Sequence, residues 1–187
     1  TISSSVAGET QSQVTRFGYD VATGALTSAT YDSPATAVLE AGYDAVGNLT
    51  KGKETDLITG RVRETNSAFN GDPERMFASS TKNALGQTSS ALFDRRTGRP
   101  TKLVSPNGVI TELTYDGFGR LTLLDRSGAA ALSLSYTLVD DGAGRSHVEL
   151  GSLDESGAWA LAVKDRLGRT VRHDQLGFDG RTIRTDA

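Results

Sequence analysis

Tyr43-Asp44-Ala45-Val46-Gly47-Asn48-Leu49-Thr50 and Tyr115-Asp116-Gly117-Phe118-Gly119-Arg120-Leu121 follow one plan: an aromatic, then Asp, then Gly shortly after. An Asp side chain can accept amide hydrogens inside a tight turn, and Gly takes the positive φ that closes it. Each stretch therefore reads as a turn between two short extended segments. The same marker recurs along the chain, at Asp20, Asp32, Asp44, Asp56, Asn70, Asn83, Asp94, Ser105, Asp116, Asp125, Asp140, Asp154, Asp165 and Asp179. The spacing averages about 12 residues, which is the rhythm of an all-β meander. Most markers lead into a Gly within a few residues, among them Gly24, Gly47, Gly98, Gly119 and Gly168. Between markers the chain alternates as half-buried strands do: Val109, Thr111, Leu113 and Tyr115 share one face, as do Leu132, Leu134, Tyr136 and Leu138, and Trp159, Leu161 and Val163 continue the pattern.

Numbering the turns sharpens the pattern. The full aromatic-Asp form, at Tyr19-Asp20, Tyr43-Asp44, Phe93-Asp94 and Tyr115-Asp116, falls on alternate turns. Alternate turns of an antiparallel meander lie on the same rim, so the repeating unit is a hairpin of about 22–24 residues. Tyr31-Asp32-Ser33-Pro34 breaks the rule, with its aromatic on the other rim and no Gly nearby. Helix is expected nowhere except one turn at Asp72-Pro73-Glu74-Arg75-Met76-Phe77, where Asp would cap and Pro would open it.

Composition agrees. Of 187 residues, 21 are Gly, 36% are hydrophobic, 6% are aromatic and none is Cys. Lack of Cys excludes disulfides, thiolate zinc sites and cysteine nucleophiles. The net charge of −3 argues against a nucleic-acid or anionic-membrane surface. No apolar run is long enough to span a membrane, and no basic-then-apolar leader is visible at Thr1, as expected of an excised piece. About 14 strands spaced about 4.8 Å apart make a sheet roughly 65 Å wide, and open sheets beyond about ten strands curl or split. A curved wall is the expectation, with a compact sandwich as the alternative.

The two opening stretches resemble YD repeats of the RHS family. Residues 105–128 resemble one whole repeat, and Phe93-Asp94-Arg95-Arg96-Thr97-Gly98-Arg99 and Asp165-Arg166-Leu167-Gly168-Arg169 resemble diverged copies. The likeness covers roughly 15–185, patchily at 60–90 and 130–160. It implies an all-β antiparallel meander of about 12–14 short strands in YD-repeat hairpins, curved as part of a hollow β-shell. Residues 1–14 are expected as an irregular or edge segment and 15–187 as repeat sheet, a fragment of a longer array. In bacterial members of the family such a shell encloses a toxic C-terminal segment; in animals the family includes teneurins. The implied role is structural and non-catalytic, in a large secreted or cell-surface toxin. Partners would be flanking repeats, the C-terminal cargo and other toxin-complex components. No cofactor is expected, and nothing matches the self-cleaving module that follows the repeats in some members.

Each candidate site has a plainer structural explanation. The rings of Tyr19, Tyr43, Phe93 and Tyr115 either stack on a glycan or pack between neighbouring hairpins. Asp20, Asp44, Asp94, Asp116 and Asp165 form a carboxylate row without the dense loop that Ca²⁺ requires, so turn capping is expected. Arg99, Arg120, Arg145, Arg169 and Arg181 each follow a turn Gly and are placed to pair with a neighbouring turn's Asp or to bind an anion. His147, with Asp140 and Asp141, mimics a base and its orienter, but solvated histidines are the simpler reading of His147 and His173. The Gly142-Ala143-Gly144 run lacks the strand-to-helix context of a dinucleotide loop. Two roles remain: a shell wall, and a glycan- or cell-surface-binding module. A cut piece of wall exposes raw sheet edges, so self-association through them is expected.

Overall fold

The computed structural model describes residues 2–6, 9–32, 37–71, 73–140, 142 and 146–186. The chain divides into two units, Thr1–Leu92 and Phe93–Ala187. The first holds β1 (Ile2–Val6), β2 (Glu9–Tyr19), β3 (Leu26–Asp32), β4 (Ala37–Tyr43), β5 (Leu49–Asp56), β6 (Val62–Ala68) and β7 (Ser80–Lys82), with β8 (Thr88–Phe93) running to the division. The second holds β9 (Pro100–Val104), β10 (Ile110–Tyr115), β11 (Leu121–Arg126), β12 (Leu132–Asp140), β13 (Ser146–Asp154), β14 (Trp159–Lys164), β15 (Thr170–Leu176) and β16 (Thr182–Asp186). Within each unit every strand pairs antiparallel with the next in sequence. The protein is an all-β antiparallel meander.

All the marker residues fall at or beside breaks between consecutive strands. Among the described residues there are 16 strands, against the expected 12–14. The markers separate β2 through β16, and the hairpin partner β1 precedes the first of them. No helix occurs among the described residues. Asp72, the expected cap, lies outside them. Pro73 and Glu74 form a turn, and Arg75 takes φ 53°, a left-handed backbone no right-handed helix can continue through. Gly71, next to that segment, is required by space: a Cβ there would meet Ser79 Cβ at 2.6 Å.

Alternation is clearest in β10, where Thr111, Leu113 and Tyr115 are half-buried and Ile110, Glu112 and Thr114 are exposed. Its apolar row continues sideways as Leu113–Leu124–Leu132 through direct pairing. The corresponding row in the first unit is Phe17–Ala29–Leu39. The opposite face of that unit carries the in-register charge row Glu40–Lys53–Glu64, and Lys102 faces Glu112 in the second unit. Exposed pairs of this kind contribute under about 1 kcal/mol each.

Most described side chains are half-buried or exposed. Among the described residues only Ala29 and Val163 are buried apolar side chains, and Asp174 is the buried charge. The chain leaves 12963 Å² accessible, against about 8,600 Å² for a compact protein of 19.7 kDa. It therefore buries only about 55% of its extended-chain surface, where compact chains of this length bury about 70%.

Because the heat-capacity change of unfolding follows newly exposed apolar surface, it should fall below about 12 cal/mol/K per residue. Differential scanning calorimetry of the 187-residue chain measures it, and a value in the ordinary range of about 12–15 would contradict this account of burial.

Candidate functional site

The recurring chemistry lies at the turns, which come in two lengths. In the shorter form, at Asp44 and Asp116, the Asp amide donates to the carbonyl four residues on (Asn48, 3.0 Å; Arg120, 2.9 Å), and the Gly amide returns to the Asp carbonyl (Gly47, 3.1 Å; Gly119, 2.9 Å). One carboxylate oxygen then accepts two backbone amides: Asp44 Oδ1 from Val46 and Asn48, Asp116 Oδ1 from Phe118 and Arg120. Asp165 repeats the plan with Leu167, Arg169 and Gly168. Asn83 performs it with an amide oxygen, and Ser105 with its hydroxyl to Val109. The last marker, Asp179, sits two residues too late. The pivot there is Gly177, whose amide donates to the Arg181 carbonyl.

The longer form, at Asp20, Asp56 and Asp94, inserts one residue, and that residue is always Thr before the Gly: Thr23-Gly24, Thr59-Gly60, Thr97-Gly98. The Asp amide now donates to the carbonyl five residues on, as in Asp94 to Arg99 at 2.8 Å. Asp94 Oδ1 accepts the amides of Arg96 and Thr97, and the Thr97 hydroxyl accepts the Arg99 amide at 3.4 Å. The extra residue would leave one amide bare, and the Thr hydroxyl covers it. This Thr-Gly signature stands in the sequence, and the turn-marker reading passed over it.

The aromatic before the Asp has a separate task. A bulge precedes the turn at Gly18/Tyr19, Gly42/Tyr43, Thr114/Tyr115 and Val163/Lys164. It places Tyr19, Tyr43 and Tyr115 opposite Leu26, Leu49 and Leu121 and leaves the following Thr unpaired. Two of those Thr hydroxyls donate across the bulge, Thr50 to the Gly42 carbonyl at 3.2 Å and Thr122 to the Thr114 carbonyl at 3.1 Å. The Tyr43 hydroxyl donates to the Leu26 carbonyl and the Tyr115 hydroxyl to the Pro100 carbonyl, both at 2.9 Å. Leu26 and Pro100 are the first residues after the preceding turn on the same rim, so each Tyr fastens one turn to the one before it. Tyr19 stands exposed at the end of β2, and Phe93 is half-buried at the end of β8.

The described arginines that follow a turn Gly pair within their own turn or cover a ring. Arg120 and Arg169 pair with the Asp of their own turn, Nε to Oδ2 of Asp116 and Asp165, each at 2.7 Å. Arg181 lies 3.7 Å from Asp179. Arg99 does reach the next turn, but over the Tyr115 ring at 5.4 Å from its centre. Gly119 makes room for it, since a Cβ there would lie 2.7 Å from Arg99 Nε. Arg120 likewise covers Tyr136 at 4.6 Å. The Tyr115 ring is thus covered by a guanidinium, which takes the surface a sugar would stack on. Arg145 and the Asp32 turn lie outside the described residues.

These contacts set the acidity of the carboxylates. The Thr23 hydroxyl holds Asp20 below the ordinary Asp range, the Arg96 amide does so for Asp94, the Arg120 amide for Asp116, and the Arg169 guanidinium for Asp165. At Asp44 burial pushes upward, but the Asn48 amide and side chain, the Val46 amide and Arg75 outweigh it. Asn48 Nδ2 also donates to the Arg75 carbonyl at 2.7 Å, so the segment after β6 closes over this turn. Asp174, passed over in the sequence, is gripped by Arg184 through two bonds of 2.9 and 3.1 Å, with Arg172 at 3.3 Å. Arg184 and the second arginine lower its pKa against the cost of burial.

No catalytic constellation forms where the sequence offered one. His147 Nε2 lies 3.4 Å from Glu149, whereas Asp140 Oδ1 accepts the Gly142 amide, and Asp141 lies outside the described residues. His173 sits mid-strand between Ala162 and Thr185. Among the described residues no three His, Asp or Glu side chains gather as a metal site, and no helix is long and apolar enough to cross a membrane.

Two measurements probe the turns. Tyr115→Phe removes one hydroxyl bond and should cost about 1 kcal/mol in urea unfolding, with Tyr136→Phe, which keeps the ring beneath Arg120, changing little. The depressed carboxylates contribute stability that is whole above their unfolded value, near 3.8, and lost as pH falls through the lower folded values. Tm should therefore hold from pH 7 to about 5 and fall below about 4. Asp116→Asn with Asp165→Asn should shallow that fall, and a Tm that rises in acid would contradict the assignment.

Residues 93–130 match the family model described as RHS Repeat. The match runs from the Asp94 turn through the Ser105 and Asp116 turns to just past Gly128, one full repeat with its bulge, tyrosine latch and both rims. No curated protein matches the chain. The matched repeat supports an RHS-repeat reading of the chain, and related turn chemistry recurs at Asp20, Asp44 and Asp165 outside it.

Proposed function

We propose that this chain is a stretch of wall in a hollow shell that encloses a toxic cargo in a large secreted bacterial protein. An RHS-repeat chain is a structural repeat protein, and RHS repeats occur in secreted and cell-surface proteins. The observation that carries the finer reading is the latch from each Tyr to the preceding turn on its rim, Tyr43 to Leu26 and Tyr115 to Pro100. Such a unit adds sideways without needing a second layer, because its bonds run along the sheet. Low burial on both faces supports the same reading: a wall must present one face to its contents and one to solvent. The outer strand β16 is exposed at every residue, as suits a strand that another repeat would cover.

The test is protease protection in the intact protein that carries this segment. A cargo polypeptide in the same protein should resist digestion while the wall is whole. It should become digestible when Asp94→Ala, Asp116→Ala and Asp165→Ala uncap three turns of one rim. Equal digestion before and after the substitutions would overturn the encapsulating role while leaving the family assignment standing.

A further inference from the structure

Two of the five Asn residues are followed by Gly, at Asn70-Gly71 and Asn107-Gly108. Such a pair is chemically labile, because Gly has no side chain to keep its amide nitrogen from the preceding carboxamide. Both pairs are exposed, so access to solvent does not separate them. The electrophiles are also alike, since a Ser hydroxyl donates to each Asn Oδ1: Ser79 to Asn70 at 2.8 Å, and Ser105 to Asn107. The Ser79 hydroxyl lies 3.0 Å from the Ala68 carbonyl as well, but that oxygen already takes the Ser79 amide at 2.7 Å, and the shorter contact is to Asn70. A donated proton draws electron density from the carboxamide carbon and makes it easier to attack. The nucleophiles differ. The Gly108 amide donates to the Ser105 carbonyl at 3.0 Å, and Gly108 takes φ 79° to close its turn. To reach Asn107 it must first leave that bond and open the hairpin. The Gly71 amide, in the bend between β6 and β7, has no acceptor among the described residues and closes no turn by positive φ.

We propose that Asn70 is a site of spontaneous deamidation, and that Asn107 is protected by its turn. The Gly71 nitrogen, having lost its proton to solvent, attacks Asn70 Cγ. The new N–C bond forms as the Cγ–Nδ2 bond breaks, and Nδ2 takes a proton from solvent and leaves as ammonia. Water then opens the cyclic imide at either carbonyl, giving Asp or isoaspartate at position 70 with nothing oxidised or reduced. Isoaspartate adds a carbon to the backbone of the segment whose Arg75 carbonyl accepts from Asn48 Nδ2, so modification works against the closure of that segment over the Asp44 turn.

Incubating the 187-residue chain in mildly alkaline buffer, then digesting it with trypsin, places the two sites in separate peptides, 64–75 and 103–120, for tandem mass spectrometry. Asn70 should convert about fivefold or more faster than Asn107, the factor that one net backbone hydrogen bond supplies. In concentrated urea, where the Ser105 turn is gone, the two rates should converge. Asn70→Gln should remove most of the isoaspartate that protein isoaspartyl methyltransferase labels in the folded chain, with far-UV circular dichroism confirming an unchanged sheet. Asn107 converting as fast as Asn70 in the folded chain would overturn the proposal. So would a difference that persists in urea, which would belong to the local sequence and not to the fold, or a label that ignores Asn70→Gln.

Discussion

A carboxylate oxygen accepting two backbone amides is the contact on which this protein depends. A hairpin turn needs its inner amides satisfied, and this chain has little interior in which to satisfy them by burial. At Asp44, Asp116 and Asp165 the oxygen takes the amides two and four residues on; at Asp20, Asp56 and Asp94 it takes those two and three residues on, with Thr supplying the missing acceptor. Turn length fixes where the returning strand starts, and so its register. The turn residues thus choose which side chains share a face.

Compact proteins draw most of their stability from a packed interior. Here so little is buried that lateral contacts within the sheet must supply more of it. The tyrosine latch, the bulge threonines and the guanidinium over Tyr115 all act along the rim, between one turn and its neighbour. This explains why so few aromatics suffice: a ring at a turn fastens two hairpins, whereas a core would need many. Asp174 shows the same economy inside the sheet, its carboxylate held by Arg184, its cross-strand partner on β16, and by Arg172 two residues away on its own strand.

Much of this was legible in the residues. The period of the Asp, Asn and Ser markers located the strand breaks, and the alternation of Val109 through Tyr115 matched the observed pattern of cover. The parity of the aromatic-Asp turns suggested a ladder of rings at Tyr19, Tyr43, Phe93 and Tyr115; in the structure Tyr43 and Tyr115 each make a hydroxyl bond to the preceding hairpin, and Tyr19 is exposed. The nature of that contact was not legible, because the acceptors are the backbone carbonyls of Leu26 and Pro100, 17 and 15 residues away, and every residue has a carbonyl. Arginine pairing was misjudged for a related reason. From Gly119 onward the chain turns back sharply enough that Arg120 meets Asp116 of its own turn before it can reach another. The difference between the two turn lengths was present as Thr-Gly, and its meaning emerged once the hydroxyl of Thr97 was seen on the Arg99 amide.

The sequence by itself determined everything that depends on neighbours within a few residues: the turns, the strands between them, the repeat and the all-β class. Those follow from Asp capping, the positive φ of Gly and side-chain alternation, all local in range. The tertiary structure decided which turn Tyr43 and Tyr115 grip, where the bulges fall, that Arg99 covers the Tyr115 ring, and that Asp174 is buried. These contacts join segments well apart in sequence, and their geometry exists only once register has brought the strands side by side.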